Sequence, residues 1–310
     1  MYDFPTDAPF PSFRKFTTKD IKPYQKLYKA SYAPYADISP ANLLVWFDIN
    51  QTLEVSRLDN ATILRYKNPF DNYEKNYIIL EPDISEDHVR RIYKLPGKKG
   101  IVRIKEQPAN LTKSLKTNPA MLLTGNIDSY EYILDNDLLA NLKGGRISRL
   151  REDVSFFERN NDAISVQHMQ TITKKDKLRL NNIIDGWSLT VHPNSKDKRP
   201  NLERSALKTA IELLDSLKRQ VMILYVGEQP VGITIFTIYG DTAIIGHIKV
   251  DYTFKSAFSY STHRLARLLL EFGVDYMNFE QDLGIDGLRH HKTLLRPIKM
   301  LKKVDVSLRD

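Results

Sequence analysis

The sequence predicts an α/β fold in two halves, each a mixed β-sheet flanked by helices. Short runs of β-branched and aromatic residues alternate with segments of helical periodicity along the 310 residues. The second half has the order strand, helix, helix, three-strand meander, helix, strand, helix and strand, and the first half repeats this order more loosely. With 42% hydrophobic and 10% aromatic residues, the chain can fill two ordinary cores.

The second half, residues 161–310, gives the clearer elements and is predicted to carry the active site. Thr173 is typical of a helix N-cap and Gly273 of a helix C-cap, while turn residues at 227–230 and 240–241 separate the strands of the meander. The predicted strands are 164–172, 221–226, 231–239, 242–251, 274–279 and 298–307. The predicted helices are 174–187, 202–219, 260–272 and a segment after Gly284.

The first half, residues 1–135, contains a hairpin signal at Asp59-Asn60 and a helix start at Ser85. Its predicted strands are 12–16, 53–58, 62–66, 76–81, 100–105 and 130–134, the last of which closes the first domain. Its predicted helices are 20–30, 85–95 and 110–116. Residues 136–160 are predicted to link the halves as a helical segment that is interrupted at Gly144-Gly145.

Composition excludes several classes of function. The chain has 46 basic and 38 acidic residues, a net charge of +8, which permits tRNA, a nucleotide cofactor or an anionic lipid headgroup as partner; a generally basic surface is the other explanation. Cysteine is absent and the seven histidines show no ligand spacing, so we predict no disulfide, no thiolate chemistry and no metal site. Without an apolar run near 18 residues or a signal pattern, the sequence predicts a cytoplasmic protein with no transmembrane segment, peripheral to the membrane if its partner is a lipid.

The most informative segment of the chain runs from Asn278 to Pro297. It places Glu280 and Asp282 after a predicted strand and beside glycine, and a basic helical segment follows. Carboxylates and glycine backbone next to a basic helix suit an anionic or acyl-carrying ligand. A strand-turn-helix connection with solvated charges is the alternative interpretation.

The residues and spacing of this segment resemble the closing motif of the phosphatidylglycerol lysyltransferase C-terminal domain family, including its soluble stand-alone members. The matching residues are Asn278, Gln281, Asp282, Leu283, Gly284, Gly287, Leu288, Arg289, Lys292, Arg296 and Pro297. Two further segments are similar to the family, Ser39–Trp46 and Tyr132–Phe157. The resemblance implies a tandem GNAT-like acyltransferase fold, related to the Fem-type transferases that use aminoacyl-tRNA.

Aminoacyl transfer requires hydrogen-bond donors for the ester carbonyl, a proton acceptor for the attacking group and a carboxylate for a cationic aminoacyl group. Lys249 or Lys292 could serve the carbonyl, and Asp282, Glu280 or Glu203 the proton or the cation. Asp282 is the first choice, with capping of the following helix as its alternative role. Period two puts His247 and Lys249 on one strand face, where His247 could act as a base and Lys249 could pair with Asp282 or Glu280.

Three sets of residues make up the predicted site. The predicted catalytic residues are Asp282, Lys249 and His247, and those predicted to contact substrate are Asn278, Glu280, Gln281, Gly284, Lys292, Arg296 and Glu203. The residues predicted to meet phosphate are Arg146, Arg149, Arg151, Lys255 and Arg289. Positions 289, 292 and 296 are predicted to share a helical face.

The donor is predicted from the loop at 251–260, where GNAT enzymes cradle the diphosphate of coenzyme A. This loop contains no glycine and a single base, Lys255, whereas close approach to a diphosphate favours glycine. The sequence therefore favours aminoacyl-tRNA as co-substrate and an amine or hydroxyl acceptor on a lipid headgroup, peptide or small molecule. The alternatives are an N-acyltransferase that uses acyl-coenzyme A and a binding protein without catalytic activity.

Overall fold

The computed structural model describes residues 7–31, 33–47, 52–67, 75–81, 84–95, 102–191 and 199–309. The chain divides into two compact units. The first comprises Met1–Glu131, Gln281–Gly284 and Leu301–Asp310, and the second comprises Tyr132–Glu280 and Ile285–Met300.

Strands and helices alternate along the chain. In chain order the elements are β1 (Arg14–Lys15), α1 (Thr18–Ser31), α2 (Pro40–Asn42, followed by a π-helical turn at Leu43–Phe47), β2 (Glu54–Leu58), β3 (Ala61–Tyr66), β4 (Lys75–Leu80), α3 (Glu86–Tyr93), β5 (Val102–Pro108), β6 (Met121–Gly125), β7 (Glu131–Asp135), α4 (Asn136–Asn141), α5 (Ser148–Asn160), β8 (Ile164–Met169), α6 (Lys174–Val191), α7 (Arg199–Glu212), β9 (Gln220–Val226), β10 (Gln229–Tyr239), β11 (Thr242–Val250), α8 (Ala257–Glu271), β12 (Tyr276–Asn278), α9 (Asp286–Leu294), β13 (Lys299–Leu301) and β14 (Lys303–Leu308).

The first unit is built on a seven-stranded sheet of order β1-β2-β3-β4-β5-β14-β6. Its strands pair antiparallel except for β4 and β5, which are parallel. The predicted hairpin at Asp59-Asn60 is confirmed, because β2 and β3 pair from Leu58 opposite Ala61. Ser85 caps α3 as predicted, since its side chain accepts a hydrogen bond from the amide of His88.

The second unit is built on a seven-stranded sheet of order β13-β7-β12-β11-β10-β9-β8. One face packs against α4, α5 and α8, where Phe157, Leu265 and Met277 are fully buried. Strands β11 and β12 pair in parallel, and β9, β10 and β11 form the predicted antiparallel meander. The predicted fold class, two mixed sheets flanked by helices, is confirmed.

Two strands belong to different sheets from those predicted. The segment predicted to close the first domain is β7, which pairs with β12 in the second sheet. The predicted final strand is divided, and its longer part, β14, lies between β5 and β6 in the first sheet. Apolar alternation predicts that a strand exists, but it carries no information about which sheet edge will accept its hydrogen bonds. The two units therefore differ from the predicted limits at residues 135 and 161.

Three local predictions also change. Helix α7 ends at Glu212, not near residue 219, because residues 213–218 turn and Lys218 adopts a positive φ of 51°. Strand β6 was not predicted, since its mixed exposure gives no clear period. Among the described residues, no helix is both long and apolar enough to cross a membrane.

Candidate functional site

The second sheet carries a buried polar face opposite the one that packs on α8. In the register of β10 and β11, His247 lies opposite Ile235 while Ile245 lies opposite Phe236, so Gly246 forms a bulge between them. His247 is 5% exposed, whereas Val250 belongs to the apolar core. The predicted alternation is therefore observed beyond the bulge.

Lys249 forms an ion pair with Glu203 on α7. The predicted pairing of Lys249 with Asp282 or Glu280 is wrong, because the carboxylate that pairs with Lys249 is that of Glu203. Both side chains remain partly exposed, at 33% for Lys249 and 44% for Glu203. Sequence spacing could not reveal this pair, since the two residues lie on separate elements.

His247 is held in its neutral form. Burial lowers the pKa of His247 well below its usual value, and the nearby charges of Arg219 and Lys249 lower it further. A neutral imidazole can accept a proton, but the lowered pKa makes it a weak base near neutral pH and so does not support the predicted role as a base. That role stays a prediction.

Asn278 and Glu280 end β12 in a fixed turn. Asn278 is fully buried and its side-chain oxygen accepts a hydrogen bond of 2.8 Å from the amide of Glu280. Glu280 adopts a positive φ of 56°, which is uncommon for a residue with a side chain. Such strain persists only where the surroundings impose it, and it is frequent at functional sites.

Lys292 is buried, and its ammonium is engaged by the backbone of the second unit. It is 9% exposed, its ammonium donates a hydrogen bond of 2.5 Å to the carbonyl of Phe279, and it lies 5.7 Å from the centre of the Tyr132 ring. The prediction that positions 289, 292 and 296 share a helical face is wrong, because α9 ends at Leu294. Arg296 lies beyond the helix at φ 56° and donates to the carbonyl of Arg146 at 2.8 Å.

Residues Gln281–Gly284 belong to the first unit. Asp282 is fully buried, and its carboxylate accepts a hydrogen bond of 2.8 Å from the amide of Gly284. The N-cap residue of α9 is Ile285, and capping of this helix by Asp282 stays the alternative interpretation. Gly284 has φ 71°, and a Cβ there would lie 3.0 Å from the carboxylate of Asp128.

A buried charge cluster in the first unit was missed from the sequence. Lys303 is 1% exposed and contacts Asp37, the carboxylate of Glu131 at 3.2 Å and the amide oxygen of Gln281 at 2.7 Å. Glu131 is fully buried and also accepts the amide of Ala36 at 2.8 Å. The only sequence signal is a charged residue beside each of three apolar runs, which is too common to single out.

Arg219 in the second unit was also missed. It is 2% exposed, and its Nε and Nη1 atoms have no hydrogen-bond partner among the described residues. Burial lowers the pKa of Arg219 to about 10, while Glu280 and Tyr239 act to raise it, so the guanidinium stays charged at neutral pH. A lone arginine just before the apolar run 221–226 is typical of an ordinary strand start, so its burial could not be predicted from the sequence.

The basic residues predicted to meet phosphate are partly engaged within the second unit. Arg151 donates to the carbonyls of Leu142 at 2.9 Å and Gly144 at 2.6 Å, which closes the turn between α4 and α5. Arg149 lies 3.4 Å from Asp153. Lys255 lies 4.7 Å from the centre of the Phe156 ring, and Arg289 is half-buried on α9.

The start of α8 carries a carboxylate. Ser256 caps this helix at φ 67° without a side-chain capping bond. The carboxylate of Asp153 accepts a hydrogen bond from Ser259 at 2.9 Å and one from Ser256 at 3.5 Å. A negative charge therefore lies where a helix N-terminus would otherwise attract an anion.

Comparison with models of known protein families gives one match. The family model described as phosphatidylglycerol lysyltransferase, C-terminal, matches residues 98–304, which is more than half of the chain. No curated protein sequence matches the chain.

Three solved structures are similar over nearly the full length. A conserved protein of unknown function from Bacteroides thetaiotaomicron VPI-5482 has 20% identity and a TM-score of 0.81, with 96% of this chain and 99% of that chain covered. L-PGS from Bacillus licheniformis has 13% identity and a TM-score of 0.63, with 97% and 93% covered. The C-terminal domain of a putative lysylphosphatidylglycerol synthetase from Agrobacterium fabrum has 13% identity and a TM-score of 0.62, with 95% and 92% covered. At these identities the likeness concerns the fold.

Proposed function

This chain belongs to the phosphatidylglycerol lysyltransferase C-terminal family, a family of transferases, and from that membership we propose that it moves an aminoacyl group from aminoacyl-tRNA to an amine or hydroxyl acceptor. The acceptor class is a lipid headgroup, a peptide or a small molecule.

The observation that carries the choice of donor is the carboxylate of Asp153 at the start of α8. An acyl-coenzyme A enzyme of this fold would place a diphosphate at this helix N-terminus, where backbone N–H groups attract anions. Here Asp153 takes hydrogen bonds from Ser256 and Ser259, and its charge would repel a diphosphate. The loop before the helix also lacks glycine. An aminoacyl-tRNA donor needs no diphosphate cradle.

The proposed roles follow from the chemistry of an ester donor. Glu280, at the end of β12, is proposed to take the ammonium of the aminoacyl group. Asp282 is proposed to accept the proton of the attacking amine or hydroxyl, because a carboxylate can serve as a general base. His247 is a second candidate for the same proton transfer.

A labelling experiment tests the donor. The purified chain is incubated with a tRNA pool charged with labelled amino acids and with a cell extract as the source of acceptors. We expect label to move to a product that separates from tRNA on chromatography, as an amide of an amine acceptor or an ester of a hydroxyl acceptor, and we expect prior RNase treatment of the donor to prevent this. Coenzyme A and acetyl-coenzyme A are not expected to raise the Tm of the protein.

The two alternatives predict different outcomes in the same experiment. Transfer that resists RNase, together with a Tm raised by acetyl-coenzyme A, would replace the proposal with N-acyl transfer. No transfer from either donor, with retained binding of uncharged tRNA or of lipid vesicles, would indicate a binding protein.

A further inference from the structure

Arg219 stands out because it is charged, buried and incompletely hydrogen-bonded. Its side chain is 2% exposed, and its Nε and Nη1 atoms have no hydrogen-bond partner within the described part of the chain. A buried charge without hydrogen bonds is costly, and natural proteins rarely retain one without a reason. Because the Nε and Nη1 donors lack an acceptor, we expect another acceptor to occupy this position during function.

The fold is shaped around this guanidinium. Arg219 comes one residue before Gln220, which pairs with Phe236 at the β10 position next to the bulge. A Cβ built on Gly246 would overlap the Nη2 atom of Arg219. The absence of a side chain at the bulge thus provides the space that the guanidinium occupies. Thr237, one residue further along β10, is 3% exposed and its hydroxyl also has no hydrogen-bond partner among the described residues.

The nearby groups favour a ligand that is anionic. His247 faces the same side of the sheet and is held neutral by burial, so it does not add a second cation. Glu280 stabilises the charge of Arg219 through space, but it leaves the Nε and Nη1 atoms without an acceptor. A guanidinium offers a planar set of donors that matches two oxygens of a carboxylate or phosphate.

The predicted donors for the acyl carbonyl are engaged elsewhere. Lys249 is paired with Glu203, and Lys292 donates to the carbonyl of Phe279. We infer that Arg219, for which Gly246 leaves room, forms a buried oxyanion-binding position in the second unit. For the identity of the bound group this inference rests on the proposed function, in which the oxyanion is the acyl oxygen that becomes negative when the acceptor attacks.

The first test measures thermal unfolding in phosphate or acetate against chloride at equal ionic strength, and phosphate also resembles a tetrahedral oxyanion. The wild type is expected to gain a saturable increase in Tm with one of these oxyanions. Arg219→Met should abolish this increase. Arg204→Met removes an arginine that is 39% exposed and paired with Asp185, and should retain it. If the oxyanion-dependent increase in Tm disappeared in both variants, or in neither, the inference would be overturned.

The sign of the stability change separates a binding role from a structural one. Replacing an unsatisfied buried charge with an apolar side chain of similar length relieves a desolvation cost, so Arg219→Met should have a higher Tm than the wild type in chloride. A lower Tm would show that Arg219 holds the fold and would overturn the inference. Arg219→Lys keeps the charge and should recover part of the response to anions.

A steric variant tests the same position without removing the charge. Gly246→Ala should displace the guanidinium and reduce anion binding, whereas Gly186→Ala, on a helix with open space around it, should not. In the labelling assay, Arg219→Met is expected to lose about 10²-fold or more in kcat, the usual effect of removing an oxyanion donor. Anion binding by the wild type without any aminoacyl transfer would support this inference and contradict the proposed function. Aminoacyl transfer that is unaffected by Arg219→Met would support the proposed function and contradict this inference.

Discussion

Replacement of Lys303 by Met should destabilise the first unit strongly. The ammonium is 1% exposed and compensates two carboxylates, those of Asp37 at 5% and Glu131 at 0% residue exposure. Met matches the length of the side chain but leaves both carboxylates buried without their cation. Breaking a buried ion pair by removing one partner typically costs about 3–5 kcal/mol. For a unit of this size, roughly 2–4 °C per kcal/mol gives a loss of about 6–20 °C in Tm.

The assay is denaturant and thermal unfolding of the full chain, followed by circular dichroism. Lys302→Met is the matched control, because Lys302 is the exposed neighbour and should lose little. Combining Lys303→Met with Asp37→Asn and Glu131→Gln removes the unpaired charges and should restore part of the loss. If Lys303→Met lost less than about 1 kcal/mol, or no more than Lys302→Met, the assigned role of this cluster would be refuted.

Three further predictions concern the second unit and the closing motif. Asp282→Asn, which keeps the oxygen that binds the amide of Gly284, should lower the transfer rate by about 10²–10⁴-fold with an unchanged Tm; near-normal turnover would show that Asp282 only shapes the turn. His247 and His263 both have a lowered folded-state pKa, so the unfolded chain binds more protons and the free energy of unfolding should fall as pH drops below about 6.5. His247→Gln should reduce the slope of the free energy of unfolding against pH by at most about 1.4 kcal/mol per pH unit. A pH profile of unfolding that is the same in the variant and the wild type would contradict this. Arg149→Glu should weaken tRNA binding and reduce the slope of log affinity against log salt by about 0.7–0.9 per lost phosphate contact, which filter binding at several salt concentrations would measure; a slope equal to that of the wild type would remove Arg149 from the interface.

Local chemistry made much of the fold predictable. The turn at Asp59-Asn60, the cap at Ser85 and the break at Gly144 each follow from a backbone preference of one or two residues, and each is present in the structure. The meander of β9, β10 and β11 follows from apolar runs separated by turn residues. These features depend on neighbours in the sequence.

Partners distant in sequence could not be predicted in the same way. The exchange of β7 and β14 between sheets, and the pairing of Lys249 with Glu203, depend on which elements meet in three dimensions. Lys292 illustrates the difficulty, because a lysine in a basic segment is usually solvated, yet here its side chain is buried and its ammonium donates to the carbonyl of Phe279, just after β12.

The candidate site was predictable only in part. Asn278, Glu280 and Asp282 could be singled out because a strand, glycines and carboxylates coincide in one short segment. Arg219 could not, since its significance comes from burial and from missing hydrogen bonds, and neither is visible in a sequence. The bulge at Gly246 likewise depends on the register between two strands.

The placement of β14 has a consequence for synthesis of the chain. During translation, β5 and β6 leave the ribosome early, but the strand that joins them is made only after the whole second unit. Until then both strands present unpaired edges, which can recruit other chains. The first sheet therefore lacks its β14 strand until translation of the chain is nearly complete, so the first unit cannot complete folding before the second unit has been synthesised. Expression of residues 1–135 alone should therefore yield aggregates, and addition of a peptide spanning 301–310 should reduce them.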